Sequence, residues 1–259
     1  MFIMNEYFNP DMKILKVERQ RLGRYWNIPD LSAPYWRLYW NEDKGASVWL
    51  NKKEYPLLAD EMTLIPPNTH FSSVNRESPM HFYVHFTAGP PFDGISAQII
   101  RICPGTEILG KVRQVSGVLD DGKADPVKLS MEVMMLILYC LGYVPDKCIR
   151  QRKIDPRIST AMRMIEEELA APPSNSAIAG KLCMSTNAFL RLFRQNAGVS
   201  PQLYSRNKRI DKACILLHYS DLDIKQIAAE TGFCDRFHFS RVFRKLRGSG
   251  PAEFRKMTS

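Results

Sequence analysis

Between Trp36 and about Val115 the apolar positions come in short runs broken by turn formers: WRLYW, ASVWL, MTLIPPN, HFYVHF and ISAQIIRIC, separated by NEDKG, NKKEYPLLADE, AGPPFDG and PGTE. Strands of this length at this spacing predict an antiparallel sandwich or barrel. Within HFYVHF, strict alternation puts His81, Tyr83 and His85 on one face and Phe82, Val84 and Phe86 on the other. The period then changes. Asp125-Pro126 opens a helix to about Leu141, with the carboxylate as N-cap and proline at the first helical position, where its missing N–H costs no bond. Leu129, Val133, Leu136, Ile137, Cys140 and Leu141 recur at helical spacing and need a partner surface.

Residues 145–156 (PDKCIRQRKIDP) are polar, basic and bounded by prolines, the composition of a linker, which places a domain boundary near residue 150. Beyond it the pattern is helical throughout, beginning with Pro156 to Ala171 and stopped by Pro172-Pro173. The expected fold class is α+β in two domains, an antiparallel β-domain over 1–150 and an all-α domain over 151–259.

The second domain contains an internal repeat at an offset of 50: Ser185/Asp235, Phe189/Phe239, Arg191/Arg241, Phe193/Phe243, Arg194/Arg244, Gly198/Gly248 and Pro201/Pro251. In each copy the first residue can cap a helix, the two phenylalanines form an i, i+4 pair on a buried face, and the glycine can end the helix in the left-handed conformation. A short helix with an Ile-Ala pair precedes each copy, Ser176 to Leu182 and Asp223 to Glu230. The small alanine lets two helices cross closely, as a helix-turn-helix requires. Gly232 supplies the turn in the second copy, whereas the first has Cys183-Met184 and no glycine. Pro201 to Tyr219 reads as one connecting helix, roughly 28 Å long at 1.5 Å per residue. That length suits two second helices about one turn of B-DNA apart, roughly 34 Å.

The exposed positions of those second helices are Thr186, Asn187, Leu190, Arg191 and Arg194 in the first copy, and Arg236, Phe237, Ser240, Arg241 and Arg244 in the second. Arginine can contact guanine bidentately, asparagine adenine, and an apolar group a thymine methyl. Phosphate contact or plain solvation is the alternative for Arg194, Arg244 and Lys245. Charge points the same way: residues 1–150 hold 17 Lys and Arg against 17 Asp and Glu, and residues 151–259 hold 19 against 10, so the net +9 belongs to the second part. A polyanion partner or a solvated basic face would both produce this asymmetry.

Six cysteines without a CxxC pair indicate neither a zinc site nor a disulfide framework, and no cofactor is expected. The longest apolar run, Val133 to Val144, is too short to span a bilayer, and a cytoplasmic protein without membrane association is expected.

DIKQIAAETGFCDRFHFSRVFRKLRGSGPAEFR closely resembles the signature of the AraC family of transcription regulators over about 100 residues. The resemblance implies a seven-helix domain whose two helix-turn-helix units enter adjacent major-groove segments of double-stranded DNA. Phe237, His238 and Phe254 depart from the family's usual Ser, Tyr and Tyr. Residues 57–72 followed by HFYVHF resemble, more weakly, the cupin-like barrel of the sugar-responsive members, in which positions matching His81 and Tyr83 contact the ligand.

His70, Trp36, Tyr39 and Trp40 are further candidates for that effector site, against a barrel simply filled by these side chains or a face turned to solvent. The helix near 127–141 would support a homodimer by the same resemblance, or pack only on its own barrel. The expected function is a sequence-specific regulator answering a small, carbohydrate-like effector, an activator that meets RNA polymerase by family habit. The competing readings are a barrel that senses a non-sugar ligand or a protein, and an enzyme with a DNA-binding tail. Against the last, no HxH metal motif occurs among the five histidines.

Overall fold

The computed structural model describes residues 11–95, 97–119, 125–149 and 154–258, and the chain falls into two compact units, residues 1–150 and 151–259. The described residues of the first unit form nine strands: β1 (Met12–Arg21), β2 (Ile28–Leu31), β3 (Trp36–Asn41), β4 (Ala46–Leu50), β5 (Lys53–Leu57), β6 (Met62–Ile65), β7 (Phe71–Asn75), β8 (Met80–Ala88) and β9 (Ile100–Ile102). They form two antiparallel sheets, ordered β1-β8-β3-β6-β9 and β2-β7-β4-β5. The expected barrel is thus open: two sheets face each other and no ladder joins them among the described residues.

Period-2 alternation divides the larger sheet cleanly. Trp36, Leu38 and Trp40 of β3, with Phe82, Val84 and Phe86 of β8, pack outward against α1 (Thr106–Val118) and α2 (Pro126–Leu141) through Val112, Val115, Val133 and Leu136. Tyr39 and Tyr83 point the other way, toward Val48, Leu57 and Phe71 beside the second sheet.

Three elements differ from the sequence expectation. Residues 106–118, read as part of the strand region, form α1, which buries Leu109, Val112 and Val115 at helical spacing. Strand β1 precedes the predicted strand region and is only partly buried, so its alternation is faint. The stretch NKKEY is not all turn: Asn51 and Lys52, with φ of 52° and 66°, make a two-residue hairpin loop, and β5 starts at Lys53.

The second unit is helical: α4 (Pro156–Glu167), α5 (Asn175–Lys181), α6 (Thr186–Ala197), α7 (Pro201–Tyr219), α8 (Ile224–Glu230), α9 (Arg236–Arg247) and α10 (Pro251–Thr258). A short α3 (Asp146–Ile149) ends the first unit. Helix α4 stops at Glu167, four residues before the predicted end at Ala171. Ile158, Ala161, Ile165, Ile178, Phe189 and Phe193 form the core of the first half, and Phe239, Phe243 and Phe254 stack edge to face in the second. Arg209 of α7 ties the halves together: its guanidinium donates to the carbonyls of Leu169, Ala170 and Gly232 at 2.8, 3.2 and 3.0 Å. Among the described residues no helix is long and apolar enough to cross a membrane.

Candidate nucleic-acid interface and inter-sheet site

Each predicted helix-turn-helix is formed, and one bond shows how the two correspond. Met184 N–H donates to the Ala179 carbonyl at 2.9 Å, as Phe233 N–H does to Ala228 at 2.8 Å. Cys183 and Gly232 are therefore equivalent, and both are left-handed, with φ of 54° and 75°. Through the turn the repeat offset is 49 and only afterwards 50, because the second copy carries one extra residue, Cys234. Helices α6 and α9 start on different caps. The Ser185 hydroxyl accepts from Ala188 N–H at 3.3 Å, while Asp235 accepts from Phe237 and His238, both at 2.8 Å. The His238 N–H above all, with the Cys234 thiol and Phe237 N–H, holds the Asp235 carboxyl below the usual carboxylate range.

Phe189 and Phe193, and Phe239 and Phe243, anchor the buried faces, so the opposite faces are open. Asn187, Arg191 and Arg194 are exposed on α6, with Thr186 and Leu190 half-buried. On α9, Arg236, Phe237, Arg241 and Arg244 are exposed and Ser240 is half-buried, its hydroxyl donating to the Arg236 carbonyl at 2.8 Å. Phe237 is 66% exposed, with the Arg236 guanidinium 4.8 Å from its ring centroid.

None of Arg191, Arg194, Arg236, Arg241 and Arg244 forms an ion pair among the described residues. Elsewhere in the unit Arg157 pairs with Asp155, Arg163 with Glu167, Lys208 with Glu166 and Arg247 with Asp211. The arginines of these two faces thus keep a charge that no described acidic group pairs, as Lys181, Arg206, Lys212 and Lys225 elsewhere in the unit also do. A cleft of about 600 Å³ lies between the two copies, with Arg206 and Arg209 of α7 among its walls. Sequence reasoning passed over exposed Arg206 because it treated α7 as a spacer. The signal was a basic residue on a polar helix face.

In the first unit His81, Tyr83 and Tyr39 lie between the sheets. The His81 ring is 4.8 Å from Tyr39, 5.3 Å from Trp26 and 5.6 Å from Tyr83. Its Nδ1 is 2.7 Å from Asn41 Oδ1, so Nδ1 carries the hydrogen, and burial pushes the ring down to about 3, leaving it neutral. The Tyr83 hydroxyl donates to Glu18. Burial raises the Glu18 carboxyl, but hydrogen bonds from Lys16 and Tyr83 outweigh it and hold the group below its ordinary range.

Three candidates are not brought there. Trp36, with Trp40, faces the helices on the far side of the sheet, because its parity in β3 is opposite to that of Tyr39. His70 is exposed in the β6–β7 connection, 3.0 Å from Asp30. Arg37, on the inner face beside Tyr39, was missed because an arginine in an alternating strand reads as solvent-facing.

Among the described residues no group of three or more His, Cys, Asp or Glu could hold a metal ion, and the six cysteines are free thiols. On α2, Val127, Met131, Met135 and Leu138 are 69, 69, 43 and 47% exposed and recur every three or four residues, an apolar stripe without a cover.

Residues 178–257 match a family described as Helix-turn-helix domain. The chain is 35% identical over 103 residues to an Arabinose operon regulatory protein of Salmonella typhimurium, covering 39% of this chain and 37% of that protein. It is 28% identical over 152 residues to the HTH-type transcriptional activator RhaS of Salmonella paratyphi B, covering 58% and 55%. The chain thus spans between about a third and about half the length of these curated relatives. Its fold resembles that of ToxT from Vibrio cholerae bound to an unsaturated fatty acid, with a TM-score of 0.56 at 14% identity over 99% of this chain and 98% of that one. The resemblance to AraC-type regulators read from the sequence is carried by these matches.

Proposed function

We propose, from the premise that residues 178–257 are an AraC-type helix-turn-helix domain, that this chain is a sequence-specific DNA-binding transcription regulator controlled by a small effector. The observation that carries the reading is the set of exposed arginines without ion pairs on α6 and α9, helices joined by the 19-residue α7, roughly 28 Å long at 1.5 Å per residue. In this reading α6 and α9 enter successive major-groove segments, Asn187, Arg191 and Arg241 meet base edges, and Arg194, Arg206, Arg244 and Lys245 meet phosphates. Residues 1–150 serve as the sensing and dimerisation domain, with the effector between the sheets and a second copy of the chain covering the α2 stripe. The polar and aromatic inner face of β3 and β8 supports the first part, and the exposed apolar stripe the second. The activator RhaS favours activation, through contact with RNA polymerase, as the outcome in the cytoplasm.

Selection of binding sites from a random DNA pool by the full chain, followed by footprinting, tests this. Two protected major-groove segments about 10 base pairs apart are expected. Retention of DNA without sequence enrichment would reduce the arginines to a general polyanion surface.

A further inference from the structure

A full positive charge lies inside the β-unit, and no acidic side chain among the described residues pairs with it. Arg37 is 1% exposed; its guanidinium lies 4.8 Å from the Tyr35 ring centroid and 5.3 Å from that of Phe71. Its Nη1 has no hydrogen-bond partner, and it makes no ion pair among the described residues. Guanidinium does not give up its proton in proteins, and an isolated buried charge is among the costliest groups a fold can keep. Among the described residues no Asp or Glu side chain of the β-unit is fully buried, and the half-buried Glu18 is engaged by Tyr83 and Lys16.

The surroundings define what could supply it. Arg37, Tyr39 and Asn41 share the inner face of β3, and the ladder sets them directly beside His85, Tyr83 and His81 of β8. Asn41 Nδ2, in the same row, is likewise buried without a partner. Arg37 Nη1 and Asn41 Nδ2 can only donate. An occupant of this row must therefore bring acceptors, at least one of them charged, along with a body that tolerates aromatic walls.

We infer that the effector between the sheets is a carboxylate, held by Arg37 through its guanidinium, with the rings of Tyr35, Tyr39 and Tyr83 along its body. This rests on the reading of the β-unit as an effector domain and names the chemical class of that effector. A sugar acid and a fatty acid both carry the required group, and the test separates them.

Thermal melting and calorimetry of the full chain would use two matched pairs: D-glucuronate against D-glucose, and decanoate against decan-1-ol. One acid is expected to raise the melting temperature in a dose-dependent way while its neutral partner does not, and the responding pair identifies the source. Arg37→Met should weaken that acid at least tenfold; Arg37→Lys, which keeps the charge, should lose less and remains informative should the methionine variant not fold. An equal response to acid and neutral partner, or none to either acid, overturns the inference. Sequence-specific DNA retention, measured in parallel, separates the two failures: if it persists while the acids fail, the carboxylate site falls and the regulator stands.

Discussion

The two helix-turn-helix copies share a left-handed turn residue but build it and the helix that follows with different chemistry. The first makes its turn with Cys183 in the left-handed region, caps α6 with a neutral hydroxyl and presents Thr186, Asn187 and Leu190 at the start of the reading helix. The second uses Gly232, inserts Cys234, caps α9 with a carboxylate and presents Arg236 and Phe237. Helix α9 also carries Arg241, Arg244, Lys245 and Arg247, against Arg191 and Arg194 on α6. The first copy is thus the richer in base-reading hydrogen-bond groups, and the second in groups suited to phosphate. The two copies share the buried anchors Phe189/Phe239 and Phe193/Phe243 and differ on the open face.

The sharpest way to break the comparison lies in the turns. A Cβ on Gly232 would run into the Ala170 backbone, and its φ of 75° is already unfavourable for a side chain. Gly232→Ala should cost about 3 kcal/mol, the left-handed penalty of roughly 1–2 kcal/mol plus the collision, read as a lower urea midpoint of the helical unit. Next come the arginines. Arg191→Ala and Arg241→Ala should each weaken binding to the selected site by about 1–3 kcal/mol and relax preference at one position. Arg244→Ala and Lys245→Ala should weaken all sequences alike and flatten the salt dependence by roughly one unit each. Wild-type affinity in both of the first two variants would refute the assignment of α6 and α9 as reading helices.

The caps differ in their response to acid. The Asp235 carboxyl titrates below its ordinary value, so its stabilisation of α9 is fully present above the unfolded carboxylate pKa of about 4 and is lost as pH falls through the lower, folded value. Ser185 has no such dependence. Acidification should therefore loosen the second copy before the first, visible in amide exchange, and Asp235→Asn should remove the difference. Ser185→Ala should cost about 1 kcal/mol at any pH. Smallest of all, Cys183→Gly should change stability by less than about 1 kcal/mol, because relief of the left-handed strain is opposed by a more flexible unfolded chain.

The same contrast explains what could be read in advance. Helices α2 and α7 run from Pro126 to Leu141 and from Pro201 to Tyr219, as predicted, because proline at the first position and strong caps mark their starts. Helix α1 escaped because Gly105, its N-cap residue, makes no side-chain cap bond, and Pro104-Gly105 reads as a turn. The inner row of β8 was legible as a set, since alternation fixes which residues share a face. Which face met the second sheet was not, and Trp36 was placed on the wrong side for that reason. The extra residue at Cys234 was hidden because the repeat was aligned on side chains, whereas the shift shows only in the turn's hydrogen bond.

The Arg209 guanidinium, fixed to Leu169 and Ala170 before the first copy and to Gly232 inside the second, would make a DNA-reading helical unit a gauge of spacing as well. Two half-domains joined only by a helix could swivel to follow a stretched site. These are pinned across the joint by three bonds from one planar group. One base pair inserted between the two recognised segments turns the second by about 34° and moves it by about 3.4 Å along the DNA axis. With the joint locked, the duplex must absorb that misfit by bending or twisting.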